Sequence, residues 1–67
     1  MMEFYEMSEL LDEHIFFDYI EYEGPDLIRH DLGGNSFWIN KDGSFENLKS
    51  FPEHFQTKVA KLIELAF

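Results

Sequence analysis

Along the last third of the chain the apolar residues fall at Phe55, Val59, Leu62, Ile63 and Ala66. That i, i+4, i+7, i+8, i+11 spacing gathers them on one side of an α-helix. The predicted helix covers residues 50–67 and opens on Ser50-Phe51-Pro52-Glu53. Ser50 can accept from free backbone N–H groups there, Glu53 can reach back, and Pro52 loses no bond in a first turn. Near the other end Phe4, Met7, Leu11 and His14 repeat at i, i+3, i+7, i+10, with Leu10 at the edge. This stripe predicts a helix over residues 2–14 whose far side carries Glu6, Glu9 and Glu13, flanked by Glu3 and Asp12. A competing pattern makes residues 3–7 a strand and begins a short helix at Ser8.

Between the two helices the period changes. Residues 15–23 are dominated by aromatic and β-branched types and fit no helical stripe, so they read as a strand. Gly24-Pro25-Asp26 is a turn, because Pro presets φ and Asp bonds local backbone. Leu27 to Leu32 is a second strand, Gly33-Gly34-Asn35 a second turn, and Ser36 to Asn40 a third strand. Asn40-Lys41-Asp42-Gly43 has the form of a type I turn with Gly43 left-handed, after which Ser44 and Phe45 begin a short fourth strand. The fold class is α+β. It is a single small domain with an antiparallel meander of three to four strands, an acidic N-terminal helix, and a C-terminal amphipathic helix packed on the sheet.

Strict alternation places Phe16, Ile20 and Tyr22 on one face of the sheet and Ile15, Phe17 and Tyr19 on the other. Phe37 and Ile39 likewise oppose Trp38. Large apolar groups then point from both faces, and the second face is expected to need a cover: the N-terminal helix, a second copy of the chain, or a partner protein.

Composition narrows the function classes. A chain of 67 residues buries only about 60% of its unfolded surface, which argues against a deep substrate cleft. Without cysteine it has no disulfide framework and no thiolate metal site. The N-terminus carries no basic region, Asp18 interrupts the run Ile15-Phe16-Phe17, and nothing approaches the roughly 20 apolar residues of a membrane span. The expectation is a cytoplasmic protein that does not engage a membrane.

Charge adds the one feature with functional weight. The net charge is −9, and it is segregated. Residues 1–28 hold nine acids and no Lys or Arg, whereas residues 29–67 hold five acids and five bases. Such a field disfavours direct contact with nucleic-acid phosphate and with anionic lipid, and favours a basic partner.

The motifs that carry chemistry are missing. His14, His30 and His54 show no i, i+3 or i, i+4 pairing and read as surface or partly packed side chains rather than metal ligands. Aligning Gly43 with the glycine of a calcium loop puts Trp38 and Lys49 at ligand positions, so the segment is a turn. Gly33-Gly34 lacks the longer glycine pattern, the following helix and the Lys of a phosphate cradle. Asp18, Glu21 and Asp31 supply carboxylates but no orienting partner, and no serine sits in a nucleophile motif. The reading is a non-enzymatic protein with no cofactor. In size, acidity and lack of cysteine the chain resembles many small proteins of bacterial phages and mobile elements, a likeness of composition that assigns no residue.

The function expected from these features is binding of another protein. Glu6, Glu9, Glu13, Asp18, Glu21 and Glu23 would form an acidic surface, with Tyr19 and Trp38 as aromatic anchors. The partner would be a basic surface, such as that of a nucleic-acid-handling protein whose site the acids occupy by mimicking phosphate. The alternative is a homodimer that pairs its uncovered sheet face, with the acids supplying solubility.

Overall fold

Two apolar stripes and three glycine-bearing turns generate the architecture of the computed structural model, which describes residues 2–66. The N-terminal stripe forms helix α1 (Phe4–His14), not a strand. Glu6 Oε1 accepts the N–H of Glu3 at 2.9 Å and so satisfies one free donor at its start. Met7 and Leu11 are buried as expected, but His14 is exposed, with Nδ1 donating to the Leu10 carbonyl at 3.0 Å. Ser8 and Ile15 take the remaining inward positions.

The strand expected over residues 15–23 forms only as β1 (Tyr19–Tyr22). The Ile15 N–H is still bonded to Leu11 O at 2.9 Å, as the cap of α1. Phe17 N–H then donates to Ile15 O at 3.1 Å, a tight turn with Phe16 at its apex. Phe17 folds back onto the core against His30 and Phe37. Ile15 and Phe17, both with strong β-propensity, are thus spent on plugging the core below the helix, where packing overrides propensity.

Strands β2 (Leu27–Leu32) and β3 (Asn35–Asn40) are joined by the two-residue turn Gly33-Gly34. Both glycines have left-handed φ, +62° and +82°, the combination that matches the twist of a tight hairpin and that side chains resist. A second reversal at Gly43 (φ +87°) leads to β4 (Phe45–Glu46). The sheet is an antiparallel four-stranded meander in the order β1-β2-β3-β4.

The C-terminal stripe forms helix α2 (Glu53–Leu65), which begins at Glu53 after Pro52 rather than at Ser50. Residues Leu48–Ser50 make a 3₁₀ turn instead. There Ser50 Oγ donates to Asn47 O at 2.7 Å and accepts from Asn35 Nδ2 at 2.7 Å, so it is engaged away from the helix end. Phe55 and Val59 are buried, Leu62 and Ile63 half-buried, and Ala66 exposed; Phe67, the last residue of the expected helix, lies outside the described residues.

Register fixes which groups share a face. Ile20 pairs with His30, His30 with Phe37, Ile28 with Ile39, and Ile39 with Phe45. Both helices pack on this face, closing a core of Met7, Leu11, Ile15, Phe37, Ile39, Phe51, Phe55 and Val59. At its centre Phe37 is fully buried, with the rings of Phe17, His30, Phe45, Phe51 and Phe55 within 6.2 Å. The other face of the sheet is uncovered by either helix. Its apolar cover is not required, because with Ile15 and Phe17 outside the strand its middle is charged: Glu21, Arg29 and Asp31 occupy it, between Tyr19 and Trp38.

Candidate functional site

The six acids expected to form one surface are divided by the sheet. Glu6, Glu9 and Glu13 lie exposed on the outer side of α1, together with Glu3 and Asp12. Among the described residues, none of these five carboxylates has a Lys, Arg or His partner within ion-pair distance. The helix therefore presents a face of uncompensated negative charge, opposite the stripe that Met7 and Leu11 bury.

Glu21 and Glu23 are on the other face of the sheet, and both are ion-paired. Alternation along β2 puts Arg29 on the open face of the sheet, and the antiparallel register sets it beside Glu21. Its Nη2 donates to Glu21 Oε1 at 3.0 Å and its Nη1 to Glu23 Oε2 at 2.8 Å. Nε lies 3.1 Å from Asp31 Oδ1, an ion-pair contact whose N–H direction misses the oxygen; that oxygen accepts from Ser36 Oγ at 2.6 Å. Glu23 also joins Arg29 to Trp38, whose indole N–H donates to Glu23 Oε1 at 2.7 Å. The guanidinium sits 5.8 Å from the Tyr19 ring centre, within cation–π range. Desolvation works against the Arg29 charge, but Asp31, Glu21 and Glu23 outweigh it and raise the pKa above its ordinary value. Sequence reading placed Arg29 in the balanced half of the chain and missed its role. The signal was the lone base two residues before Asp31, on a strand that pairs with the acid-rich one.

Removing that base should leave three carboxylates facing one another. Arg29→Met is expected to lower the melting temperature, and the loss should shrink as salt rises, because the remaining repulsion is screened. Circular-dichroism melts at low and high salt check this. An equal loss at both salts would mean that the guanidinium acts through packing alone.

Asp18 belongs to neither surface, since its Oδ2 accepts the Gly33 N–H at 2.8 Å and ties the start of β1 to the β2–β3 turn. Of the aromatic candidates, Tyr19 is exposed, whereas Trp38 is half-buried with its N–H already used.

One chemically distinctive pair lies in the core. His30 is fully buried, stacked on Phe37 at 5.1 Å, and its Nε2 is hydrogen-bonded to Ser8 Oγ at 2.7 Å. Its Nδ1 is buried without a partner. Burial lowers its pKa to about 4, against the opposing pull of the Asp12 and Asp31 charges, so the ring is neutral at pH 7. Ser8 is 2% exposed, so the pair reaches no substrate and serves to join α1 to the sheet. Among the described residues, no three His, Asp or Glu side chains converge as metal ligands, and no helix is long and apolar enough to cross a membrane.

No family model matches the chain, and neither does any curated protein or solved structure. Fold and surfaces define an α+β meander domain with both helices on one face, an acidic helical surface, and an open sheet face crossed by an ion-pair network.

Proposed function

We propose that this is a small cytoplasmic protein-binding module, not an enzyme, which docks a basic surface of a partner through the outer face of α1. The observation that supports this reading is the row of exposed carboxylates on α1, none of them ion-paired among the described residues, while Glu21, Glu23 and Asp31 of the open face share Arg29. Carboxylates on successive helical turns stand about 5–6 Å apart. Their charge density resembles that of a phosphate track, so the partner that fits best is a nucleic-acid-handling protein whose basic groove the helix occupies. The binding surface is reduced from the expected six acids to Glu6, Glu9 and Glu13, with Glu3 and Asp12 at its margins. Like-charged neighbours one turn apart cost α1 a few tenths of a kcal/mol each, a cost that a binding role accounts for.

The test is retention of a partner from bacterial lysate on the tagged protein, compared with its Glu9→Lys/Glu13→Lys variant. Wild type is expected to retain a basic protein at low salt and release it at high salt, with affinity at least about tenfold weaker in the variant. The variant should melt no lower than wild type, since it relieves repulsion along the helix. A retained protein that the double reversal binds equally well would sink the electrostatic mechanism.

A further inference from the structure

A second feature of the surface is independent of the acidic helix. Phe16 is 99% exposed, although the residues on either side of it are anchored. Ile15 is buried and Phe17 packs against His30 and Phe37. The Phe17 N–H to Ile15 O bond closes the turn between them, so the backbone holds the Phe16 ring outward. A fully solvated phenyl ring on an anchored stretch of backbone contributes nothing to this fold. It has the character of an interface anchor, which loses little conformational freedom when it is buried by another surface.

A receptor for such a ring lies at the same end of the molecule. Two residues after Phe16, the Asp18 carboxylate holds the N–H of Gly33. Gly33 lines a groove of about 410 Å³ with Leu32, Phe51, Pro52, His54 and Phe55. Asn35 is also in its wall, but its amide is spent on Ser50 and on the Ser36 N–H, so what faces the groove is mainly apolar. A closed cavity of about 150 Å³ already holds a benzene molecule, so the groove has room for a phenyl ring.

We infer that this end of the molecule is a self-association site, at which Phe16 of each copy seats in the groove between the β2–β3 turn and the start of α2 of the other copy. A projecting ring and its receptor on one surface are self-complementary, which is what a two-fold interface requires. The area sets the strength. Each ring carries roughly 150–250 Å², so two rings and the groove walls they cover bury roughly 600–1,000 Å² in all. That is below the roughly 1,200 Å² at which stable interfaces begin. The dimer is therefore weak and needs a high protein concentration to form. The two net charges of −9 repel each other, so added salt tightens this contact, the opposite of its effect on docking to a basic partner.

Sedimentation equilibrium up to about 1 mM, at low and high salt, tests the site. The average mass is expected to rise towards the dimer with concentration, and to rise further with salt. Phe16→Ala should remain a monomer under the same conditions with an unchanged melt. His54→Glu places a charge in the groove wall at an exposed position near a helix N-terminus, where an acid is tolerated, and it too should remain monomeric. A strict monomer at high salt, association that survives Phe16→Ala, or association that survives His54→Glu would each overturn the inference. None of these outcomes touches the acidic face of α1, whose own test uses different residues and has the opposite dependence on salt.

Discussion

Phe37→Ala is expected to bring the chain to the edge of unfolding at room temperature, the largest effect of any single substitution. Phe37 is fully buried and lies on β3, inside the sheet and under both helices. Five rings contact it: Phe17 from the turn after α1, His30 from β2, Phe45 from β4, and Phe51 and Phe55 from the C-terminal segment. Truncation removes the shared neighbour of all five and leaves a cavity that no single element can collapse to fill. Such changes cost about 3–5 kcal/mol, against a total stability on the order of 5 kcal/mol for a domain of this size. Phe37→Leu keeps most of the volume and should cost about 1–2 kcal/mol. Urea unfolding followed by circular dichroism measures both. A Phe37→Ala variant within about 1 kcal/mol of wild type would place the centre of the core elsewhere.

The second large effect is a loss of stability in mildly acidic solution that one residue controls. The folded His30 pKa is about 4, below its ordinary 6.5, because burial disfavours the imidazolium. The unfolded chain therefore takes up the proton first as the pH falls. The stabilisation is complete above pH 6.5, declines between pH 6.5 and about pH 4, and falls no further below that. At about 1.4 kcal/mol per pH unit the whole window amounts to about 3 kcal/mol, of which about 2 kcal/mol is gone by about pH 5. Asp12 on α1 and Asp31 on β2 offset part of the burial effect, so charge from both sides of the ring is included in that figure. Ser8→Ala/His30→Phe replaces the pair with apolar groups. Its urea midpoint should be nearly flat between about pH 7 and about pH 5, where ordinary carboxylates stay ionised. A wild type equally flat over that range would show that the imidazole can reach water when it is charged.

Most of the architecture was legible because local chemistry and tertiary need agree. Gly33-Gly34 can form a tight left-handed turn where few other pairs can, and the apolar stripes of α1 and α2 have a single period. Errors came where one residue serves two demands. Ile15 and Phe17 carry β-forming side chains, yet the core beneath α1 needed their volume, and the chain reaches the sheet only at Tyr19. Ser50 is a good helix cap by type, but Asn35 and Asn47 claim its hydroxyl. The acidic surface was half legible: α1 periodicity correctly turned Glu6, Glu9 and Glu13 outward. Composition alone could not show that Glu21 and Glu23 lie on the opposite side of the sheet, bound to a base from the next strand. His30 was legible in principle, since period-two alternation from Ile28 points it to the core. Its charge type argued otherwise until Ser8 was found one helix away. Phe16 left no signal, because exposure depends on a turn that no residue type announces.

The meander order has a kinetic consequence. Every strand pairs with its neighbour in sequence, and the central hairpin closes over two residues. Little loop entropy has to be spent before contacts form, a topology associated with rapid barrier crossing. The sheet can zip outwards from the Gly33-Gly34 turn, and only the meeting of α1 with α2 brings the two ends of the chain together. Because the Ser8–His30 bond joins α1 to β2 across 22 residues, it is expected to form after the hairpins close, and protonation of the imidazole is expected to speed unfolding more than it slows folding.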